Sequence, residues 1–142
     1  MFELESAYLD IDAIEEGRWM ALGADFPEVE IFAKGLSSAG AKALDMKLRR
    51  EAMGNDRLSN GQLTEDAQNR VFKTVIVERC IMDWRGFSSK RRALPFSKAA
   101  LTAIFEEPRA RKVAVAIIGA ITALEQTTKA AEAEVVGNLP AS

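Results

Sequence analysis

Asp10, Asp12, Glu15 and Glu16 put four carboxylates into seven residues. Carboxylate oxygens are the ligands that hold hard divalent cations, so this is the first place to look for chemistry. The glycine and the regular oxygen spacing of a calcium loop are missing, and a solvated acidic face accounts for the cluster. A second concentration of charge is basic: Arg85, Lys90, Arg91 and Arg92. Four cations in a short stretch suit docking on an acidic partner or on phosphates. Arg109, Arg111 and Lys112 can extend this patch if the fold brings them to the same end of the molecule.

Beyond charge, little points to a reaction. The chain has no histidine, which removes the commonest general base, the commonest metal ligand and every Ser-His or Cys-His relay. Its single cysteine, Cys80, lies in an apolar run and reads as a small packed hydrophobe. One cysteine builds neither a disulfide framework nor a zinc site. There is no glycine-rich phosphate loop and no nucleophile-elbow pattern. No catalytic, cofactor-binding or metal-binding residue is assigned, no cofactor is expected, and the expectation is that the protein is not an enzyme.

The totals frame the rest. A chain of 142 residues falls within one domain by length and buries roughly two-thirds of its unfolded surface. Apolar residues make up 48% and charged residues 28%, a globular composition and not a disordered one. A net charge of −2 gives no bulk attraction for nucleic acid, which is not an expected partner. The acidic start (Glu3, Glu5, Asp10) is unlike a signal peptide. The longest apolar run, 113–118, is far shorter than the ~20 residues that span a bilayer. A soluble cytosolic protein in a reducing compartment, without membrane contact, is the expectation.

The elements that must position these groups follow from periodicity. Leu9 to Asp12 alternates loosely enough for a short edge strand. Trp19 to Leu22 and Val29 to Lys34 carry a period of two around turn residues Gly23, Asp25 and Pro27, which predicts a β-hairpin over about 18–34. Ala41, Leu44, Leu48 and Ala52 predict a helix over about 37–53, capped by Ser37 or Ser38. Thr64 caps the next, with Glu65 and Asp66 in its first turn where the helix dipole favours them, and the apolar run through Val71, Val75, Ile81 and Trp84 extends it to about 64–85. Two more helices are predicted over 98–106 and 108–126, the last with Pro108 at its start and Val113, Ile117, Ile121 and Leu124 as its core stripe. The basic Arg109, Arg111 and Lys112 sit in its first turns, against the dipole. The fold class is mainly α (α+β): a small bundle of four to five helices with an N-terminal hairpin. One globular domain is expected over 1–126 and a flexible tail over 127–142.

The chain is organised round Val71 to Leu101, and its centre is Asp83-Trp84-Arg85-Gly86-Phe87. Gly86 suits a position of positive φ past a helix end, with Met82 and Phe87 placed to touch across the cap. Ser97 is a good N-cap for the restart, and Phe96 and Leu101 have the spacing of a hydrophobic staple. Trp84, Phe87 and Phe96 should pack into one corner, and this turn, Trp84, Gly86, Phe87, Phe96 and Ser97, has a structural role. Trp19, Phe26 and Phe32 on the hairpin and Arg85, Lys90, Arg91 and Arg92 in the loop are the candidate partner-binding residues.

The order of these pieces resembles a known family. Glu16-Gly17-Arg18-Trp19 leads into a strand with Val29-Glu30-Ile31, a helix follows, and a long apolar segment closes in Asp83-Trp84-Arg85-Gly86-Phe87. Then come Leu94-Pro95-Phe96-Ser97, a short helix, Glu107-Pro108 and a final helix ending near Gly137-Asn138. Over residues 16–138 this is similar to the tail assembly chaperones of long-tailed bacteriophages, with Ser88-Ser89-Lys90-Arg91-Arg92 where the family often has Asp and Gly. The resemblance implies a non-enzymatic protein of the host cytoplasm, absent from the mature virion. It implies that the chain binds the tape measure protein, keeps its apolar helices soluble, helps recruit tail tube subunits and forms homo-oligomers. Another small phage structural or connector protein, docking an acidic partner through the basic loop, is the alternative.

Overall fold

The computed structural model describes residues 1–128. It is an α+β fold with five α-helices and a small antiparallel sheet. Leu4–Ala7 form a 3-10 turn, and α1 spans Ile11–Glu16. The Asp10 carboxylate accepts from the Ala13 backbone N–H at 3.1 Å, satisfying a donor that the first helical turn leaves without a partner. A helix start thus stands where an edge strand was expected over Leu9–Asp12. Leu9 forms an isolated β-bridge to Thr128, and the Asp10 N–H donates to the Thr127 carbonyl at 2.9 Å. Thr127 and Thr128 are therefore tied to the N-terminal segment. The rest of the tail expected over 127–142 lies outside the described residues.

β1 (Arg18–Ala21) and β2 (Glu30–Ala33) pair antiparallel, with Trp19 opposite Phe32 and Met20 opposite Ile31. β2 also pairs antiparallel with β3 (Ile81–Arg85), Ile31 opposite Trp84 and Ala33 opposite Ile81, with an irregularity between Phe32 and Ala33. The strand order is β1-β2-β3. Side chains alternate across a strand, so Ile31, Ala33, Ile81 and Trp84 enter the core, while Trp19, Glu30, Phe32, Asp83 and Arg85 share the other face.

β3 corrects the helix expected over 64–85. That stretch is three elements: α3 (Glu65–Val75), a π-helical turn (Ile76–Cys80) and β3. Thr64 caps α3 by accepting from the Ala67 N–H at 3.1 Å. The β-branched and aromatic residues that follow fit a pleated, half-buried surface, and pairing with β2 supplies the backbone partners that a continuing helix would otherwise supply. Ile76 and Cys80, both fully buried, face the core from the wide turn.

Gly86 consequently ends a strand and not a helix. Its φ is +93°, but the helix-ending contact between Met82 and Phe87 has no helix to close: Met82 belongs to β3, and the Phe87 ring packs on Trp84. The chain then makes a two-residue hairpin, β4 (Ser88–Ser89) with β5 (Arg92–Ala93), where a loop was expected.

α2 (Ala39–Glu51) is capped by Ser38, α4 (Lys98–Glu106) by Ser97, which accepts from the Ala100 N–H at 3.0 Å. Pro108 opens a 3-10 turn, Pro108–Ala110, and α5 runs Arg111–Glu125. α5 lies across β1 and β2, α4 packs on α5 and the π-helical turn, and α2 packs on α3 and that turn. The core is the space so enclosed, filled by Ile31, Ile76, Ile81, Leu101, Ile117, Ile121 and Leu124, all without exposed surface. Ile117, Ile121 and Leu124 are one stripe of α5, spaced as a 3.6-residue period requires.

Candidate interaction surfaces

The acidic cluster at 10–16 is divided among structural duties. Asp10 is buried and caps α1. Glu15 reaches across to the start of α2, where both of its carboxylate oxygens accept from the Ala39 N–H at 3.0 and 3.1 Å. Among the described residues no group of three or more acidic or cysteine side chains is arranged to hold a metal ion. Cys80 is fully buried, and burial, with the charge of Glu125 adding to it, pushes its thiol up to about 12. A thiol so held stays protonated, which is the opposite of an activated nucleophile.

The seven candidate partner-binding residues fall in three places. Trp19, Phe32 and Arg85 come together on the outer face of the sheet. The Trp19 and Phe32 rings meet edge to face with centroids 5.5 Å apart, and the Arg85 guanidinium lies 4.1 Å from the Trp19 ring centre. Arg85 is held there by Glu30 at 2.9 Å, its neighbour across the strands. Both rings are half-exposed. The result is a small aromatic platform carrying a cation, positioned by β-pairing alone.

Lys90, Arg91 and Arg92 form the second place. Lys90 (φ +53°) and Arg91 (φ +66°) occupy the tip of the β4–β5 hairpin, in the left-handed backbone region that a two-residue turn of this type requires. Asn-Gly is the usual occupant, because an L side chain with a Cβ costs about 1–2 kcal/mol there. All three cations are exposed and none forms an ion pair with a described residue.

Phe26 belongs to the third, a cleft of about 690 Å³ between the β1–β2 turn and the start of α5. Leu22, Phe26, Val115 and Ala116 give it apolar walls; Arg111 and Lys112 line it from α5, Arg109 from the 3-10 turn before it, and Asp25 from the β1–β2 turn. Arg109 pairs with Glu107 and holds that carboxyl below the usual carboxylate range. None of Arg85, Lys90, Arg91 or Arg92 lines this cleft, so the basic residues of α5 serve a surface of their own. The signal for it was in the sequence: cations placed against the dipole of the helix they begin. A further surface went unread there, the N-terminal stretch, where Phe2, Leu4, Tyr8 and Ile11 are exposed.

The turn residues have a packing role that the geometry states directly. Trp84 is 4% exposed, its ring centre 4.9 Å from that of Phe87 and 5.1 Å from that of Phe96. Its indole N–H donates to the Leu94 carbonyl at 2.9 Å. No protein-family model, curated protein or solved structure matches the chain, so its surfaces are read on their own chemistry. Among the described residues no helix is long and apolar enough to cross a membrane.

Proposed function

We propose that this protein is a tail assembly chaperone of the long-tailed phage type, binding a tape measure protein and keeping its apolar helices in solution. It works in the host cytoplasm, assists recruitment of tail tube subunits and leaves before the virion is complete. The reading rests on the order of motifs between residues 16 and 138. The observation that carries it further is the pair Trp19 and Phe32, two half-exposed rings on the outer face of the sheet with Arg85 beside them. Large amphipathic rings with few rotatable bonds are what a protein uses to cover another chain's apolar surface at low entropic cost.

The test is co-expression with the tape measure protein encoded beside it, expected as a long helix-rich gene downstream, with a tube-protein gene upstream. The tape measure protein should remain soluble with the parent chain and precipitate with a Trp19→Ala, Phe32→Ala double variant that still folds. Equal insolubility with and without the parent chain ends the reading.

The alternative, a connector docking an acidic neighbour, is favoured by one observation: Lys90 and Arg91 hold a turn that other residues would hold more stably. Loss of such a partner on neutralising Lys90, Arg91 and Arg92, with co-expression solubility unaffected, favours it over the first reading.

A further inference from the structure

Two surfaces of this chain complement one another. One is the cleft at the start of α5, with Leu22, Phe26, Val115 and Ala116 as its apolar walls and Arg109, Arg111 and Lys112 as its cations. Val115 is 59% exposed, so an apolar residue stands open in the groove. The other is the N-terminal arm, in which Phe2 (77% exposed) and Leu4 (63%) alternate with Glu3 and Glu5. The first seventeen residues carry no lysine or arginine. One surface is apolar and carries Arg109, Arg111 and Lys112 against the single acid Asp25; the other is apolar and acidic.

We propose that the N-terminal arm of one copy seats in the cleft of a second copy, with Phe2 and Leu4 against Phe26 and Val115 and with Glu3 and Glu5 facing Arg111 and Lys112. No residue of the arm lines the cleft of its own chain. The arm is tied to the far end of α5 by the Asp10 N–H to Thr127 carbonyl bond and the Leu9–Thr128 bridge. The 15 residues of α5 span about 22 Å. With the arm anchored at one end of α5 and the cleft at the other, the proposed contact is between copies, either reciprocal within a dimer or passed on around a ring.

The fold itself does not ask for the cations. Arg111 and Lys112 are the first two residues of α5, where the helix dipole disfavours positive charge, and Ala110 before them offers no side-chain cap. Their placement makes sense as recognition of an acid outside the chain. The proposal does not depend on the chaperone reading.

The test is sedimentation velocity on the full chain from about 1 µM to about 1 mM, the range in which a contact of this size acts. The parent should self-associate, and raising salt from about 0.05 to 0.5 M should weaken association about tenfold or more, since exposed charge pairs are screened. Arg111→Glu with Lys112→Glu should abolish association while melting at or above the parent's temperature, because acidic residues suit that helix end. Phe2→Ser with Leu4→Ser should do the same. Glu3→Lys with Glu5→Lys, mixed with the Arg111→Glu, Lys112→Glu variant, should restore a complex that neither forms alone. A parent that stays monomeric throughout overturns the proposal. So does unchanged association of the α5 variant, or a charge-swapped mixture that fails to recombine, which would give the cleft to another occupant. The co-expression test uses Trp19 and Phe32, which line neither surface, so the two readings fail separately.

Discussion

The backbone of Gly86 lies against that of Glu28 with no room for a side chain between them. A Cβ on Gly86 would overlap the Glu28 carbonyl oxygen, lie 2.8 Å from its carbon and come within 3.0 Å of the Val29 Cα. These neighbours are main chain and do not swing aside. Gly86 also holds φ +93°. Two separate reasons therefore demand glycine, and they predict different things. A helix-ending glycine is replaced by asparagine at modest cost, because asparagine tolerates positive φ. Here Asn should be tolerated no better than Ala or Val, and each should cost about 3 kcal/mol or more in chemical denaturation. An Asn variant within about 1 kcal/mol of the parent would show that only φ matters.

Trp84 joins β3 to the segment that leads into α4. Its N–H donates to the Leu94 carbonyl in a corner made with Phe87 and Phe96, where the Leu94 N–H in turn donates to the Phe87 carbonyl at 2.9 Å. Trp84→Phe keeps a ring in place but removes the donor and some volume, leaving a part-buried carbonyl without its partner. A cost of about 2–3 kcal/mol is expected, measured by urea unfolding. Trp19→Phe, on the half-exposed outer face, should cost about 1 kcal/mol or less. Equal costs at the two positions would contradict the corner's role.

The caps were legible in the sequence because capping is local: Ser97, Thr64 and one of the adjacent serines, Ser38, each precede a helix whose free N–H groups they meet. So was the α5 stripe Ile117, Ile121 and Leu124, whose period no other structure shares. β3 was not. Val75 to Trp84 holds seven apolar residues with Glu78, Arg79 and Asp83 among them, and over so short a run those apolar positions fit a helical arc as well as the inner face of a strand. The widening apolar arc from Val77 to Trp84 was the sign that the period had changed. α1 was missed for the opposite reason: six residues give too little periodicity, and only Asp10 as a cap announces them. The β4–β5 hairpin hid because Lys90 and Arg91 stand where Asn and Gly would advertise a turn. The candidate surfaces were partly legible. Arg85 joins Trp19 and Phe32 only because β3 pairs with β2, where it stands opposite Glu30, a residue more than fifty positions away.

That hairpin makes a prediction in which stability rises. Replacing Lys90-Arg91 by Asn-Gly puts the preferred residues into the same backbone shape. The gain should be about 1–2 kcal/mol, seen as a higher melting temperature, since left-handed strain at both positions is relieved. Lys90→Gln with Arg91→Gln removes the charges without relieving the backbone and should leave stability nearly unchanged. If Asn-Gly melts at or below the parent, the tip does not hold the strained turn described. If both variants lose an acidic partner that the parent retains, the cations and not the turn shape carry that contact.

Cys80 ties stability to alkaline pH. Its thiol is fully buried and raised from an ordinary 9.0 to about 12, first by burial and then by the Glu125 charge. The folded state thus keeps the proton at a pH where the unfolded chain has lost it. A group raised on folding contributes stability that is complete below the unfolded pKa and is lost as pH climbs toward the folded one. For Cys80 the window opens near pH 9 and closes near 12, with a slope of at most about 1.4 kcal/mol per pH unit. Lysine and tyrosine titrate in the same range, so the readout is the difference between the parent and Cys80→Ala. Below pH 8 the alanine variant should be less stable by a constant amount, about 1–2 kcal/mol for the lost sulfur contacts. Above pH 9 the gap should narrow, close between about pH 10 and 11 and then reverse, since three pH units at that slope exceed it. The same burial predicts that a thiol reagent modifies native Cys80 only as fast as the protein opens. A gap that stays constant to pH 11, or a thiol that reacts at the rate of the denatured chain, would place Cys80 in contact with water and remove it from the core.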